Sequence, residues 1–202
     1  MTTNKNQPDP GKVAALKQAL KNYQPGEGSF FDREAEEAKA KVRNRALGLL
    51  DQRARSRSEL EGRLIKAEFE PRLVVEVCDD LERAGLLDDA QFAREWVRQR
   101  AARRGKATKA LDLELRDKGV AADIRQEALD QIDPSDEEAT ARALAAKKAR
   151  SIKTEPADYQ EKQKALRRIV GVLARRGFPE GMSLRIAREA LDERLDELRD
   201  GD

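Results

Sequence analysis

Residues 92–120 read FAREWVRQRAARRGKATKALDLELRDKGV, a stretch that predicts two helices, the second of them stopped by a glycine. Four apolar residues of the first helix recur at helical spacing: Phe92, Ala93, Trp96 and Val97. Between positions 94 and 109, seven arginines and lysines stand against the single acid Glu95. The stretch therefore predicts a core-forming helix that carries a concentrated positive surface.

The composition of the whole chain favours thin helical units over one deep core. Of its 202 residues, 40% are charged, 39% are apolar and only 4% are aromatic. Ala, Leu, Glu, Arg and Lys dominate, and runs of Val and Ile suited to strands are nearly absent. These proportions predict an all-α protein. The single cysteine, Cys78, has no partner for an internal disulfide and is expected to be a small buried hydrophobe.

Basic and acidic residues fall in alternating blocks, so the net charge of +2 says little about partners. No apolar run reaches membrane-spanning length, and no secretory leader pattern opens the chain. We therefore expect a cytoplasmic protein with no membrane association, acting as a monomer.

An internal repeat organises the middle helices. Three segments share one pattern of apolar spacing: Leu60-x3-Leu64-x4-Phe69, Leu111-x3-Leu115-x4-Val120 and Ile169-x3-Leu173-x4-Phe178. A helix precedes and another follows each copy, which predicts an elongated array of three tandem three-helix repeats. We place a flexible N-terminal tail at residues 1–33, and the three repeats at residues 34–86, 87–134 and 135–202.

Capping residues indicate where several helices begin. Asp88 and Asp158 precede apolar-faced segments and predict N-caps, and Thr108 is expected to do the same for the helix of Leu111. Capping-box spacing, with Glu three residues further on, predicts helix starts at Ser58 and Ser135.

The third helix of each predicted repeat is acidic, and this argues against one class of function. A three-helix unit suggests a helix-turn-helix, whose reading helix must enter the phosphate-lined major groove. Carboxylates at this density would be repelled there. The pattern therefore disfavours operator recognition by the third helices.

Several longer motifs resemble one known family. The chain contains Glu59-Leu60-x2-Arg63-Leu64, Gly85-Leu86-Leu87-Asp88-Asp89-x2-Phe92-Ala93-x2-Trp96-Val97-x2-Arg100, Lys118-Gly119-Val120, Leu166-Arg167-Arg168 and Leu173-x2-Arg176-Gly177-Phe178. Together these motifs resemble the RecX regulatory proteins over residues 38–195. The segment from Gly85 to Val97 is far more specific than a leucine pattern.

The resemblance implies a non-enzymatic negative modulator of the recombinase RecA, which lies in the groove of the RecA–DNA filament and inhibits strand exchange and ATP hydrolysis. The residues agree with a binding role: the chain has no histidine and no glycine-rich phosphate loop, and we expect no cofactor and no metal. An alternative is a stand-alone nucleic-acid-binding protein, of no sequence preference, that acts without RecA.

Basic runs in every repeat are the candidate contacts for RecA or for single- or double-stranded DNA. The alternative is that these basic runs are solvent-exposed helix faces, or that they interact favourably with helix dipoles. Trp96 is expected in the core, while Arg100, one turn further on, fits a structural role and a binding role equally well. The candidates are Arg53, Arg55, Arg57, Arg98, Arg100, Arg103, Arg104, Lys106, Lys109, Lys147, Lys148, Arg167, Arg168, Arg175 and Arg176.

Overall fold

The computed structural model of the chain describes residues 33–200, and every regular element in that range is an α-helix. The helices are α1 (Arg33–Gln52), α2 (Arg57–Lys66), α3 (Pro71–Arg83), α4 (Asp89–Arg104), α5 (Thr108–Asp117), α6 (Ala122–Leu129), α7 (Pro134–Ala149), α8 (Tyr159–Ala174) and α9 (Glu180–Asp200). The predicted all-α class is confirmed. The predicted tail at residues 1–33 lies outside the described residues, except for Arg33.

Three hydrophobic clusters divide these helices into three units. The first cluster is built from α1, α2 and α3, the second from α4, α5 and α6, and the third from α7, α8 and α9. Each unit buries its own apolar faces, and Ala107 of the second unit also joins the third cluster. The chain is therefore an array of tandem three-helix units, as the spacing predicted, while the residue limits of the three repeats stay a prediction.

The middle helix of each unit carries the repeat. Its two leading apolar positions are fully buried in every unit, and the third, at Phe69, Val120 or Phe178, packs against the same cluster. The residue just before that third position has a positive φ in all three units: 64° at Glu68, 71° at Gly119 and 86° at Gly177. The three copies thus share a left-handed helix stop as well as an apolar pattern.

At both junctions, the first residues of one middle helix contact the last residues of the next middle helix. Between the first two units, the Ser56 Oγ at the start of α2 donates to the Lys118 carbonyl at the end of α5, at 2.6 Å. At the second junction, the Ala107 backbone N–H donates to the Arg176 carbonyl at 2.9 Å. The glycine after each acceptor lies directly against the preceding unit, so this packing leaves no room for a Cβ atom at Gly119 or Gly177.

Three predicted helix starts are wrong, and each is displaced by one or two residues. Ser56, not Ser58, caps α2, and its side chain accepts from the Glu59 backbone N–H. Asp133, not Ser135, caps α7, because Pro134 occupies the first helical position, where its missing N–H is tolerated.

At α5 the N-cap is Ala107, which makes no side-chain cap, and Thr108 is the first helical residue. The Glu137 carboxylate supplies the missing acceptor, taking bonds from the Thr108 backbone N–H at 2.6 Å and from its hydroxyl at 2.9 Å. The predicted caps Asp88 and Asp158 are confirmed. None of the helices described between residues 33 and 200 is apolar over a length that would cross a bilayer.

Candidate nucleic-acid and partner interface

Two arginines of the first unit's basic run pair with one carboxylate, that of Glu59. Arg55 is buried, donating to the Leu49 carbonyl at 2.9 Å and to Glu59 at 3.1 Å. Arg53 pairs with the same carboxylate, and Lys118 of the second unit reaches it at 3.0 Å. Burial raises the pKa of Glu59, but hydrogen bonds from Arg53 and Lys118 outweigh it and lower the pKa to about 2. Glu59 is therefore a charged link between two units.

Arg57 is likewise occupied inside the first unit. Its guanidinium contacts Glu61 at 2.8 Å, Asp79 at 2.6 Å and Glu82 at 2.5 Å. Burial disfavours the charged form, but the hydrogen bonds that Arg57 donates to these carboxylates prevail and raise the pKa of Arg57 above its ordinary value. The structure therefore uses Arg55 and Arg57 to hold helices together and leaves neither guanidinium available to a ligand.

Trp96 and its neighbours form a second internal network, at the face between the first two units. The indole Nε1 donates to Glu114 at 2.9 Å, the Arg100 guanidinium carbon lies 3.8 Å from the ring centroid, and Lys118 Nζ lies 4.4 Å from it. Arg100 also pairs with Glu114 at 3.2 Å, as does Lys106. Trp96 is half-buried, as expected of a core residue, and Arg100 makes internal contacts, while its binding role stays a prediction.

Two further candidates have partners on the protein. Arg98 pairs with Glu95 at 2.7 Å on the exposed face of α4. Arg176 donates to the Val172 carbonyl at 3.2 Å and to the Arg104 carbonyl at 3.4 Å, which ties the third unit to the end of α4. Arg176 therefore contributes to the junction between units.

The other candidates are exposed, except Lys148, which is half-buried. Within residues 33–200 their side chains have neither an ion pair nor a hydrogen bond, and all lie in the second and third units. Such cations are available to an external anion without breaking an internal contact. They are Arg103, Arg104, Lys109, Lys147, Lys148, Arg167, Arg168 and Arg175.

Five cations converge on a shallow cavity of about 380 Å³ between α7 and α8, here called the basic pocket. Its lining is Lys148, Lys164, Arg167, Arg168, Gly171 and Arg175. Because no carboxylate and no large apolar side chain lines it, the pocket offers a field of donors suited to phosphate groups. Sequence reasoning missed Lys164, although Lys164 lies one helical turn before Arg168 on the same face of α8, with Arg175 at its C-cap.

A second cavity, of about 830 Å³, lies between α4 and α7 and is here called the inter-unit cleft. Arg103, Arg104 and Lys147 line it. Lys147 lines the cleft, and its neighbour Lys148 lines the basic pocket. Likewise, Arg176 lines the cleft, and its neighbour Arg175 lines the basic pocket. The two cavities therefore adjoin, and the structure brings most candidates of the second and third units together. Arg100 and Lys109 line neither cavity, and Arg55 of the first unit lines another cavity together with Arg98.

Two of the three-helix units match models of known three-helix domains. Residues 43–81 match the model of the RecX first three-helix domain, and residues 88–129 match that of the RecX second three-helix domain. The chain is 60% identical over 202 residues to the regulatory protein RecX of Corynebacterium efficiens, covering 95% of this chain and 96% of that relative. It is 42% identical over 147 residues to the regulatory protein RecX of Streptomyces lividans, covering 73% of this chain and 76% of that relative.

A solved structure has the same fold. The crystal structure of RecX from Lactobacillus salivarius superposes with a TM-score of 0.66 at 25% sequence identity, covering 78% of this chain and 99% of that one.

Proposed function

Because the chain belongs to the RecX family of regulatory proteins, we propose that it is a non-enzymatic negative modulator of the RecA recombinase. It binds as a monomer in the groove of the RecA–DNA filament, in the cytoplasm, and inhibits strand exchange and ATP hydrolysis. Family membership and the name "regulatory protein" of its relatives support a regulatory role.

The observation that carries the proposal is the position of the unpaired cations. In the first unit, Arg55 and Arg57 are occupied by internal carboxylates, while the basic pocket gathers five cations with no carboxylate in its lining. Cations that have no internal partner can replace the counterions of a phosphate backbone, and the release of those counterions favours binding. The second and third units, which carry the unpaired candidates, therefore contact the filament.

A RecA assay tests the proposal directly. RecA-catalysed ATP hydrolysis on single-stranded DNA is measured with and without the protein. The expected result is a lower rate that depends on the concentration of the protein. An unchanged rate at stoichiometric excess would reject the proposed function.

Charge reversal tests the part assigned to the basic pocket. The variant Arg167→Glu/Arg168→Glu/Arg175→Glu should inhibit RecA much less than the unmodified protein. The matched control reverses three exposed cations of the first unit that also have no partner among the described residues: Lys41, Arg45 and Lys66. Because both variants change the net charge equally, inhibition lost to the same extent in both would show that only overall charge matters.

The alternative function is nucleic-acid binding without RecA, and the composition of the basic pocket favours it, since phosphate alone would satisfy such a site. Affinity for naked single-stranded DNA should then fall steeply with salt. Loss of three phosphate contacts lowers the slope of log K against log salt by about 2. Strong, salt-dependent binding with no effect on RecA would favour this alternative.

A further inference from the structure

The inter-unit cleft differs in chemistry from the basic pocket beside it. Its lining includes aliphatic and aromatic groups from both units as well as cations. Ala101, Ala102 and Ala143 leave the space between α4 and α7 open, because their side chains are too small to fill it. Of the larger apolar groups that line it, Ile132 and Leu144 are partly exposed, whereas Val97 and Phe178 are buried.

Charges are separated along the length of the cleft. Asp133, Asp136 and Glu137 lie at the start of α7, where two of them already accept bonds from Ser135 and Thr108. Lys147 lies ten residues beyond Glu137, which is about 15 Å along the helix axis.

The end of α4 lies beside the middle of α7, because a Cβ at Gly105 would be 3.1 Å from the Leu144 side chain and 3.3 Å from that of Thr140. Arg103, Arg104 and Lys147 line the cleft. Nothing described in residues 33–200 pairs with the side chains of these three cations. Six cations and three carboxylates line the cleft, so it attracts an anion, and its part-exposed apolar side chains attract an apolar group.

Single-stranded nucleic acid is a poor match for this surface. Bases bind by stacking on exposed aromatic rings, and the aromatic residue that lines the cleft, Phe178, is only 5% exposed. Trp96 does not line the cleft, and Arg100 and Lys118 already lie over its ring. An acidic polypeptide, in contrast, supplies carboxylates for the cations and a side chain for the space between the helices.

From this arrangement we propose that the inter-unit cleft binds an acidic segment of a protein partner. The segment inserts one large apolar side chain between α4 and α7 and pairs its carboxylates with Arg103, Arg104 and Lys147. The inference rests on the proposed function, because it divides the two components of a protein–DNA filament between two adjoining surfaces. The cleft takes the protein, and the basic pocket takes phosphates.

Two fluorescent probes separate these surfaces in anisotropy titrations. The first is a short labelled peptide of alternating Asp and Glu around a central Leu-Phe pair. Two matched peptides replace either the Leu-Phe pair with Ser or the acids with Asn and Gln. The second probe is labelled oligo-dT of about 20 nucleotides, long enough for one nonspecific single-strand site.

Three variants are compared with the unmodified protein, and one of them has a positional control. Ala143→Trp fills the cleft from an exposed position on α7, while Ala139→Trp changes an exposed position of the same helix that does not line the cleft. Arg103→Glu/Arg104→Glu reverses the free charge of the cleft. Arg167→Glu/Arg168→Glu reverses charge in the basic pocket.

The expected pattern is a double dissociation. Ala143→Trp and Arg103→Glu/Arg104→Glu each weaken binding of the acidic Leu-Phe peptide by about tenfold or more, while Ala139→Trp and Arg167→Glu/Arg168→Glu change it less than about threefold. Arg167→Glu/Arg168→Glu weakens oligo-dT binding instead. Both matched peptides bind more weakly than the acidic Leu-Phe peptide to the unmodified protein.

Three results would overturn the inference: no measurable peptide binding, peptide binding insensitive to Ala143→Trp, or oligo-dT binding as sensitive to Ala143→Trp as peptide binding. The last would identify the cleft as a nucleic-acid site. Circular dichroism of each variant shows whether its helices are intact. Because the titrations contain no RecA, they can fail while RecA inhibition persists, and RecA inhibition can be absent while the peptide binds.

Discussion

Replacing Gly177 with alanine tests the junction that joins the second and third units. Gly177 follows the Arg176 carbonyl, which accepts from the Ala107 backbone N–H, and its φ is 86°. A Cβ added there would lie 2.6 Å from the Ala110 Cβ and 2.7 Å from the Ala110 backbone nitrogen. A backbone nitrogen in a helix cannot rotate away, so the two units must separate.

Two costs add to give the expected magnitude. A left-handed conformation costs an alanine about 1–2 kcal/mol. Overpacking against rigid neighbours costs about 1–3 kcal/mol more. Gly177→Ala should therefore lower the free energy of unfolding by about 2–5 kcal/mol. It should also weaken peptide binding, because the inter-unit cleft spans this junction.

Urea titrations followed by circular dichroism measure the effect, and two substitutions are controls. Glu68 occupies the equivalent left-handed position in the first unit but is exposed. Glu68→Gly should change stability by less than about 1 kcal/mol, because relief of strain offsets the greater freedom of the unfolded chain. Gly62→Ala, in α2 with no atom within 4 Å of the new Cβ, should stabilise the protein by about 0.5–1 kcal/mol. A loss below about 1 kcal/mol for Gly177→Ala would refute the reasoning.

Other side chains provide three further predictions. Glu59, with its pKa lowered from 4.5 to about 2 in the folded protein, stabilises the fold above pH 4.5, and this contribution is lost as the pH falls toward 2. Unfolding free energies measured across this range should depend less on pH in Glu59→Gln, and an unchanged dependence would contradict the assignment. Trp96, the single tryptophan of the chain, is covered by Arg100 and Lys118, so its fluorescence should not be quenched when oligo-dT binds. Strong quenching would indicate base stacking. Burial raises the pKa of the Cys78 thiol to about 11, so it should react with a disulfide reagent only at the rate of unfolding, and rapid labelling of the folded protein would disprove its burial.

Helix starts show where local sequence reasoning fails. Asp88 and Asp158 were predicted correctly, because each stands just before an apolar-faced helix with a Gln or Glu three residues further on. Ser56 and Ser58 are two residues apart and have equal intrinsic capping ability, so the sequence around them does not decide between them. Ser56, which caps the helix, also donates to the Lys118 carbonyl of the adjacent second unit, 62 residues further along the chain.

Candidate contact residues show the same limit more clearly. Arg57, Arg100 and Arg103 all lie in basic runs, and nothing nearby in the sequence distinguishes them. Arg57 finds Glu82 at 2.5 Å and Arg100 finds Glu114 at 3.2 Å, both on other helices. Arg103 finds no such partner within the described residues. The positive character of each run was therefore predictable, but its availability to a ligand was not.

The sequence by itself determined the helices, their apolar faces, the three-unit repeat and the family. These depend on periodicity and spacing along the chain, which neighbouring residues specify. Only the tertiary structure decided which cations are occupied, that the second and third units share one surface, and that a cleft with an apolar lining lies beside a purely cationic pocket. Ion pairs form only within about 4 Å, and packing of the helices alone brings carboxylates from distant parts of the chain to that distance.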